Sequence, residues 1–369
     1  MGGVAARPAA GTALLGAALV GVAGLLDAEP LYVPGIAFLL LALCAAGWVL
    51  LGTRDARVHR EVPARRVVED EPLHLEVVLR AGRPLPAGEL HDALLDRPAP
   101  LPAGRAATRV RIDARFARRG RKALPAPRVA LRDPFGMVTR TVQGTTSEDE
   151  VLVLPRVEEV RTTSAGGEGS GLGTRRGQAV AAAEVELDGV RQHRPGTPAS
   201  RIYWPALARR GELLERRMRA DGDARPLVVL DPRGAASAED LDAAVRATAS
   251  IAVHLARQGG CAVLVPGDRR PTSLEPGLAA WPHLHARLAL VEGEHVPALG
   301  AVLARVGEVV LVSARRVSRA PRALAQAPRG GRILVVPAPL PGRRALFAVA
   351  GCTGYELSGS ASRAREAVA

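Results

Sequence analysis

Two uninterrupted apolar runs open the chain, Ala9 to Leu26 and Leu31 to Leu51. At ~1.5 Å per helical residue they reach roughly 27 and 31 Å, close to the thickness of a bilayer core. The pattern predicts two transmembrane helices, about 9–26 and 31–51, forming a hairpin within residues 1–53. The loop between them, LDAEP, carries only acidic charge, Asp27 and Glu29. Arg7 precedes the first run, while Arg54, Arg57 and Arg60 follow the second. That bias puts both ends of the hairpin in the cytoplasm and a short loop outside. The other reading of the first run is a cleaved signal peptide. The second run would then still cross with its basic flank inside, so the large domains stay on the cytoplasmic side of the cell membrane.

From Val58 to Val160 the period shortens to two, broken by Pro and Gly. HLEVVLR (74–80), TRVRIDARF (108–116), RVAL (128–131), MVTRTV (137–142) and EVLVLP (150–155) read as strands. Asp133-Pro134-Phe135-Gly136 suits a type I turn. With no helical period between them, these segments predict a small Ig-like β-sandwich over 58–160. SAGGEGSGLG (164–173) reads as a flexible linker; no Lys-Ser or Lys-Thr follows its glycines, so it is not a phosphate loop.

Beyond Arg225 strands and helices alternate. PLVVLD (226–231), CAVLV (261–265), EVVLVS (308–313), RILVVP (332–337) and a last strand near 345–350 are apolar throughout. Ser237, with Asp240 three residues on, forms a variant capping box for a helix to about Gln258, with Leu241, Val245, Thr248 and Ala252 on one face. Further helical segments are expected at 279–290, at 297–306 and between the strands 308–313 and 332–337. This is the pattern of a parallel sheet covered on both faces, Rossmann-like in class, over 174–357, followed by a flexible tail, 358–369. Ligands of such sheets bind beyond the carboxyl ends of the strands, which singles out Asp231 and the residues after it.

Ahead of that sheet, within 174–357, lies the densest group of unusual residues, the stretch 189–214. Arg191, Arg194, Arg201, Arg209 and Arg210 surround Tyr203 and Trp204. Pro195-Gly196 reads as a turn, Thr197-Pro198 as a helix start, and Gly211 as its stop. Arginine planes beside an indole suit stacking and anion recognition. Taken alone, the window reads as a solvated arginine face over a buried Trp204.

Composition narrows the partners. The net charge of +13 points toward nucleic acid or anionic lipid, yet Lys122 is the only lysine, asparagine is absent, and Ala, Arg, Gly and Pro dominate. Much of the arginine is therefore compositional, and with 3% aromatics no basic run is interleaved with stacking residues, so nucleic acid is not expected. Cys44, Cys261 and Cys352 lie far apart in apolar runs and read as small buried residues. There is no GxSxG and no HExxH. His283 and His285 form the only close histidine pair, and with no third ligand near they read as ordinary loop or surface histidines rather than a metal site.

Several motifs together resemble one family, domain of unknown function fifty-eight, the YeaD-like membrane proteins. The likeness extends over nearly the whole chain. Arg119-Gly120 and Asp133-Pro134-Phe135-Gly136 match its β-domain, and Gly189, Val190, Arg191, Pro195, Gly196, Arg201, Trp204, Ala208, Arg209 and Leu213 match its central motif. Two departures stand inside that motif: His193 replaces a tyrosine and Thr197 an aspartate. The resemblance implies a C-terminal domain like von Willebrand factor A, and a function for Arg191, Pro195, Gly196, Arg201, Trp204 and Arg209. Where metal-binding members of that fold carry Asp-x-Ser-x-Ser, this chain has Asp231-Pro232-Arg233-Gly234-Ala235. Both serines are lost and Arg233 adds positive charge, so a degenerate site at Asp231, Arg233 and Ala235 is expected, with no metal and no cofactor.

The resemblance further implies work beside a MoxR-type AAA+ ATPase, with a transglutaminase-like membrane protein as a further partner. The leading expectation is a non-enzymatic, membrane-anchored scaffold or assembly protein. Two others stay open: a membrane-bound hydrolase using the groove at Asp231, and an anionic-lipid binder using Arg54, Arg57 and Arg60.

Overall fold

The computed structural model describes residues 3–144, 149–163, 172, 187–192, 204–211, 213–218, 225–297, 308–317, 324 and 331–357. The chain divides into two compact units, Met1–Val153 and Leu154–Ala369. The expected linker, apart from Leu172, and the expected tail lie outside the described residues, as do the helix anticipated at 297–306, apart from Pro297, and most of the segment between 313 and 332 where a further helix is expected.

The first unit begins with strand β1 (Val4–Ala5) and helices α1 (Arg7–Leu26) and α2 (Tyr32–Gly52), within a residue or two of the expected bounds. Both helices are long and apolar enough to cross a membrane. The apolar runs conceal a seam. Ala9, Gly16 and Ala23 are the buried residues of α1, and Gly35, Ala42 and Val49 recur at the same seven-residue step on α2, with Ala45 beside them. At the crossing the backbones nearly touch: a Cβ on Gly16 would lie 2.7 Å from the Gly35 carbonyl oxygen. Small residues allow such an approach, and large ones elsewhere leave an apolar outer surface, with Leu14, Leu25, Val33 and Leu43 all exposed.

Ten more strands of this unit, β2 (Arg57–Glu61), β3 (Arg66–Val68), β4 (Leu73–Arg80), β5 (Ala87–His91), β6 (Ala99–Leu101), β7 (Ala107–Ala114), β8 (Gly120–Leu124), β9 (Arg128–Arg132), β10 (Thr139–Gln143) and β11 (Asp149–Leu154), follow the hairpin. They form three sheets ordered β1-β10-β9-β5-β6, β3-β11-β8 and β2-β4-β7. Alternation along each strand sends Val58, Leu75, Leu90, Val129, Leu131, Val151 and Val153 into one shared core. β1 pairs with β10, and Met137 and Val138 pack with Ala9, Ala45 and Val49, so the hairpin base is seated on this β-region. The Arg140 guanidinium donates to the Leu50 carbonyl and the Thr53 hydroxyl, placing a cation on the orphan carbonyls at the end of α2.

One expectation about this region is overturned. Arg60 is no juxtamembrane cation: on β2 it alternates inward with Val58, is 7% exposed, and donates through Nη2 to Asp92 Oδ2 (2.6 Å) and the Pro125 carbonyl (2.9 Å). Cys44 departs as well, standing exposed on α2, whereas Cys261 and Cys352 are buried as expected.

In the second unit β12 (Arg161–Thr162), β15 (Leu227–Asp231), β16 (Cys261–Leu264), β17 (Thr272–Leu274), β18 (Val309–Ser313), β19 (Arg332–Val336), β20 (Ala345–Val349) and β21 (Cys352–Glu356) build one sheet, ordered β12-β20-β21-β19-β18-β15-β16-β17. The four central strands are parallel, as the apolar runs imply; the flanks are antiparallel, so the sheet is mixed. β21 returns from β20 through the two-residue turn Ala350-Gly351, both at positive φ, too tight for a crossover helix. Helices of this unit are α3 (Trp204–Arg210), α4 (Ala238–Gly259) and α5 (Trp281–Ala289). α4 lies on the face presenting Val228, Leu230, Val310 and Val312, while Leu227, Val229, Val309 and Leu311 face the other side with Leu340 and Tyr355. Ser237 caps α4 by accepting the Asp240 N–H, but the Asp240 carboxylate does not complete the box; it is engaged elsewhere.

Candidate functional site

The sheet reverses winding at β15: the chain continues to β16 on one side and later returns to β18 on the other. At the carboxyl ends of this pair Asp231 and Ser313 stand in register, where a doubly wound sheet opens its crevice. The Asp231 carboxylate accepts from Arg233 twice, Nε to Oδ1 at 2.8 Å and Nη2 to Oδ2 at 2.9 Å. This fork matches the two oxygens and holds the Arg233 pKa above its usual value, chiefly through the hydrogen bond to Asp231. Both groups are part-exposed, so the pair contributes only about 0–1 kcal/mol to stability. Gly234, at φ +67°, lets the Arg315 stem close in, 3.3 Å from where a Cβ would sit. Ala235 supplies no ligand and packs against the core under α4.

A second fork lies on the same edge. Arg316 donates Nε to Asp240 Oδ2 and Nη2 to Asp240 Oδ1, both at 3.0 Å. The Ser313 hydroxyl is 4% exposed and accepts the Arg315 N–H. Sequence reading picks out Asp231 here but misses the roles of Arg315, Arg316 and Asp240. The adjacent arginines directly after the β18 end are the signal that was available. As arranged, the carboxylates are neutralised by guanidinium groups, and a cation at Asp231 would have to displace Arg233. Among the described residues no group of three His, Cys, Asp or Glu side chains could hold a metal ion. Calorimetric titration of the chain with Mg²⁺ or Ca²⁺ is therefore expected to give no saturable heat; saturable binding abolished by Asp231→Ala would contradict this.

The two histidines near Trp281 separate. His285 is buried, stacks on Trp281 with ring centroids 4.4 Å apart, and donates through Nε2 to the Pro155 carbonyl, while His283 is exposed. Burial lowers the His285 pKa, the hydrogen bond opposing it in part. It is a tie holding the 154–163 stretch to α5, and the Glu158 N–H to Ser250 Oγ bond ties the same stretch to α4. Burial likewise pushes the Cys261 and Cys352 thiols up to about 12, which makes them inert at neutral pH.

The arginine-tryptophan stretch takes a different form from the crevice. β13 (Leu187–Gln192) and β14 (Leu214–Met218) pair antiparallel, with Arg191 opposite Glu215 in register. α3 lies in the connection between them, opened by Trp204 and stopped by Gly211, whose N–H reaches the Leu207 carbonyl at φ +69°. Pro195, Gly196 and Arg201 lie outside the described residues. Trp204 is 54% exposed, which removes the reading of a buried indole under an arginine face. Arg209 on the same helix and Leu213 just beyond it are also exposed. No protein-family model matches the chain, and no curated protein matches it.

Proposed function

We propose that the chain is a non-enzymatic, membrane-anchored scaffold or assembly protein that docks a partner through the arginine-tryptophan segment. The observation that carries this reading is Trp204, an indole more than half exposed at the start of a short helix that also carries exposed Arg209, with exposed Leu213 just after it in the chain. Tryptophan and arginine dominate binding hot spots because each covers a large area at low entropic cost and arginine adds fixed-geometry hydrogen bonds. The family resemblance makes a MoxR-type AAA+ ATPase the partner, with a transglutaminase-like membrane protein as a further member of the assembly. A parallel sheet centre with a carboxylate at its switch point supports a domain like von Willebrand factor A, in which Arg233 stands where a metal would.

A hydrolase at Asp231 is disfavoured by the same geometry. Its carboxylate is clamped, and the neighbouring Ser313 hydroxyl is nearly buried and accepts a backbone N–H. Lipid binding through three juxtamembrane arginines loses Arg60 to the β-region core.

Anchoring rests on α1 and α2, whose large side chains face outward, and on the acidic loop set against basic flanks. Docking of a cytoplasmic ATPase requires both ends of the chain inside. A reporter fused after Ala369 should be active as a cytoplasmic probe. Alkaline phosphatase activity from the same position would overturn the orientation.

A further inference from the structure

The turn between β9 and β10 carries a matched motif that the docking reading does not use. Asp133 is 2% exposed and organises the turn: its Oδ2 accepts the Phe135 N–H (2.9 Å), its Oδ1 the Val138 N–H (2.6 Å), and its carbonyl the Gly136 N–H (3.0 Å). Pro134 has no N–H to satisfy. Phe135 is nevertheless left 69% exposed at the tip.

Met137 and Val138 are packed into the hairpin base with Ala9, Ala45 and Val49, and Leu41 and Ala46 lie against the same cluster. Thr12 Oγ1 is 3.7 Å from Met137 Sδ. Thr12 sits roughly 7.5 Å up α1 from Arg7 at ~1.5 Å per residue. The turn therefore reaches alongside the first turns of α1 rather than stopping at its end. If the helices span the bilayer, as proposed above, a tip at this height stands in the interfacial layer or the first part of the hydrocarbon.

We propose that the Asp133–Val138 turn is a second membrane contact, with Phe135 inserted into the bilayer beside the hairpin base. The chemistry of the tip suits that medium. An aromatic ring leads, the Phe135, Gly136 and Val138 N–H groups are satisfied within the turn, and the one carboxylate is turned inward. Exposed apolar side chains of α2, Leu40, Leu43 and Trp48, belong to the same unit, and the exposed arginines Arg7, Arg54 and Arg57 flank the hairpin ends where headgroups would lie. The bilayer, rather than another protein, is the occupant because the turn is seated on the membrane helices themselves.

The inference rests on the anchoring reading, and one experiment separates their failures. The full chain is reconstituted into phosphatidylcholine–phosphatidylglycerol vesicles whose phosphatidylcholine is brominated on its acyl chains. One variant keeps Trp48 as its sole indole, with Trp204→Phe and Trp281→Phe. The other adds Trp48→Phe and Phe135→Trp. Both should be quenched to a similar extent, and the reporter at position 135 should be more strongly quenched by bromine near the headgroup than at mid-chain. Quenching of Trp48 without quenching at position 135 would overturn the inference and assign the ring to water or to a protein. Absence of quenching in both would overturn the anchoring reading, and the inference with it. Should the indole variants fold poorly, a nitroxide on Phe135→Cys in a Cys44→Ala background reads the same depth from its relative accessibility to oxygen and to a water-soluble nickel complex. Preferential access to nickel would contradict the proposal.

Discussion

Asp92→Ala is expected to destabilise the β-region by about 3–5 kcal/mol, the usual cost of stranding one member of a buried ion pair. The side chains of Arg60 and Asp92 are 1% and 0% exposed, and Nη2 and Oδ2 lie 2.6 Å apart. Asp92 also accepts the Leu94 N–H and Arg60 also donates to Pro125, so the pair stitches β2 to the loops after β5 and β8. Removing the carboxylate takes the countercharge away from a guanidinium held in a low-dielectric core. Hydrogen exchange at amides of β2 and β4 that open only with global unfolding should accelerate by about two to four orders of magnitude. The double variant Arg60→Met, Asp92→Leu should recover most of the loss, because it removes both charges. If Asp92→Ala alone exchanges like the wild type, the pair is not the buried tie described.

The second large effect belongs to the hairpin. Gly16→Leu places a side chain where even a Cβ would lie 2.7 Å from the Gly35 carbonyl and 3.0 Å from Leu39 Cγ. The backbone atom cannot yield as a flexible side chain would, so α1 and α2 must separate. Overpacking of this kind costs about 1–3 kcal/mol and, for a unit of this size, a fall of roughly 3–10 °C in the melting of the helical signal in detergent. Gly11→Leu and Gly21→Leu are the controls, since nothing lies within 4 Å of either position. Equal melting of all three variants would show that the seam does not hold the hairpin.

Much of this architecture is written in periodicity. Unbroken apolarity gives α1 and α2 nearly to the residue, Ser237 gives the start of α4, and apolar runs give the four parallel strands. Asp133 and Gly136 give their turn because a carboxylate and a residue tolerant of positive φ are both needed there. What stays hidden depends on partners distant in sequence. β2, β5 and β8 are short and rich in polar residues, and become strands only when their few apolar positions meet the shared core. Arg60 reads as a topology signal because its partner is 32 residues away. The Arg316–Asp240 fork joins groups 76 residues apart. Periodicity marks that Gly16 and Gly35 are small but not that they face each other.

Docking of an ATPase partner is proposed to run through the exposed Trp204 and Arg209 of α3. The most direct measurement is affinity purification of the full chain from its own membranes, with co-purifying proteins identified for the wild type, Trp204→Ala and Arg209→Glu. Both side chains are exposed, so neither variant should lower the melting temperature appreciably. A hot-spot role predicts that a MoxR-type AAA+ ATPase accompanies the wild type and is depleted by about tenfold or more in each variant. Full retention of the ATPase by both stable variants would contradict the claim.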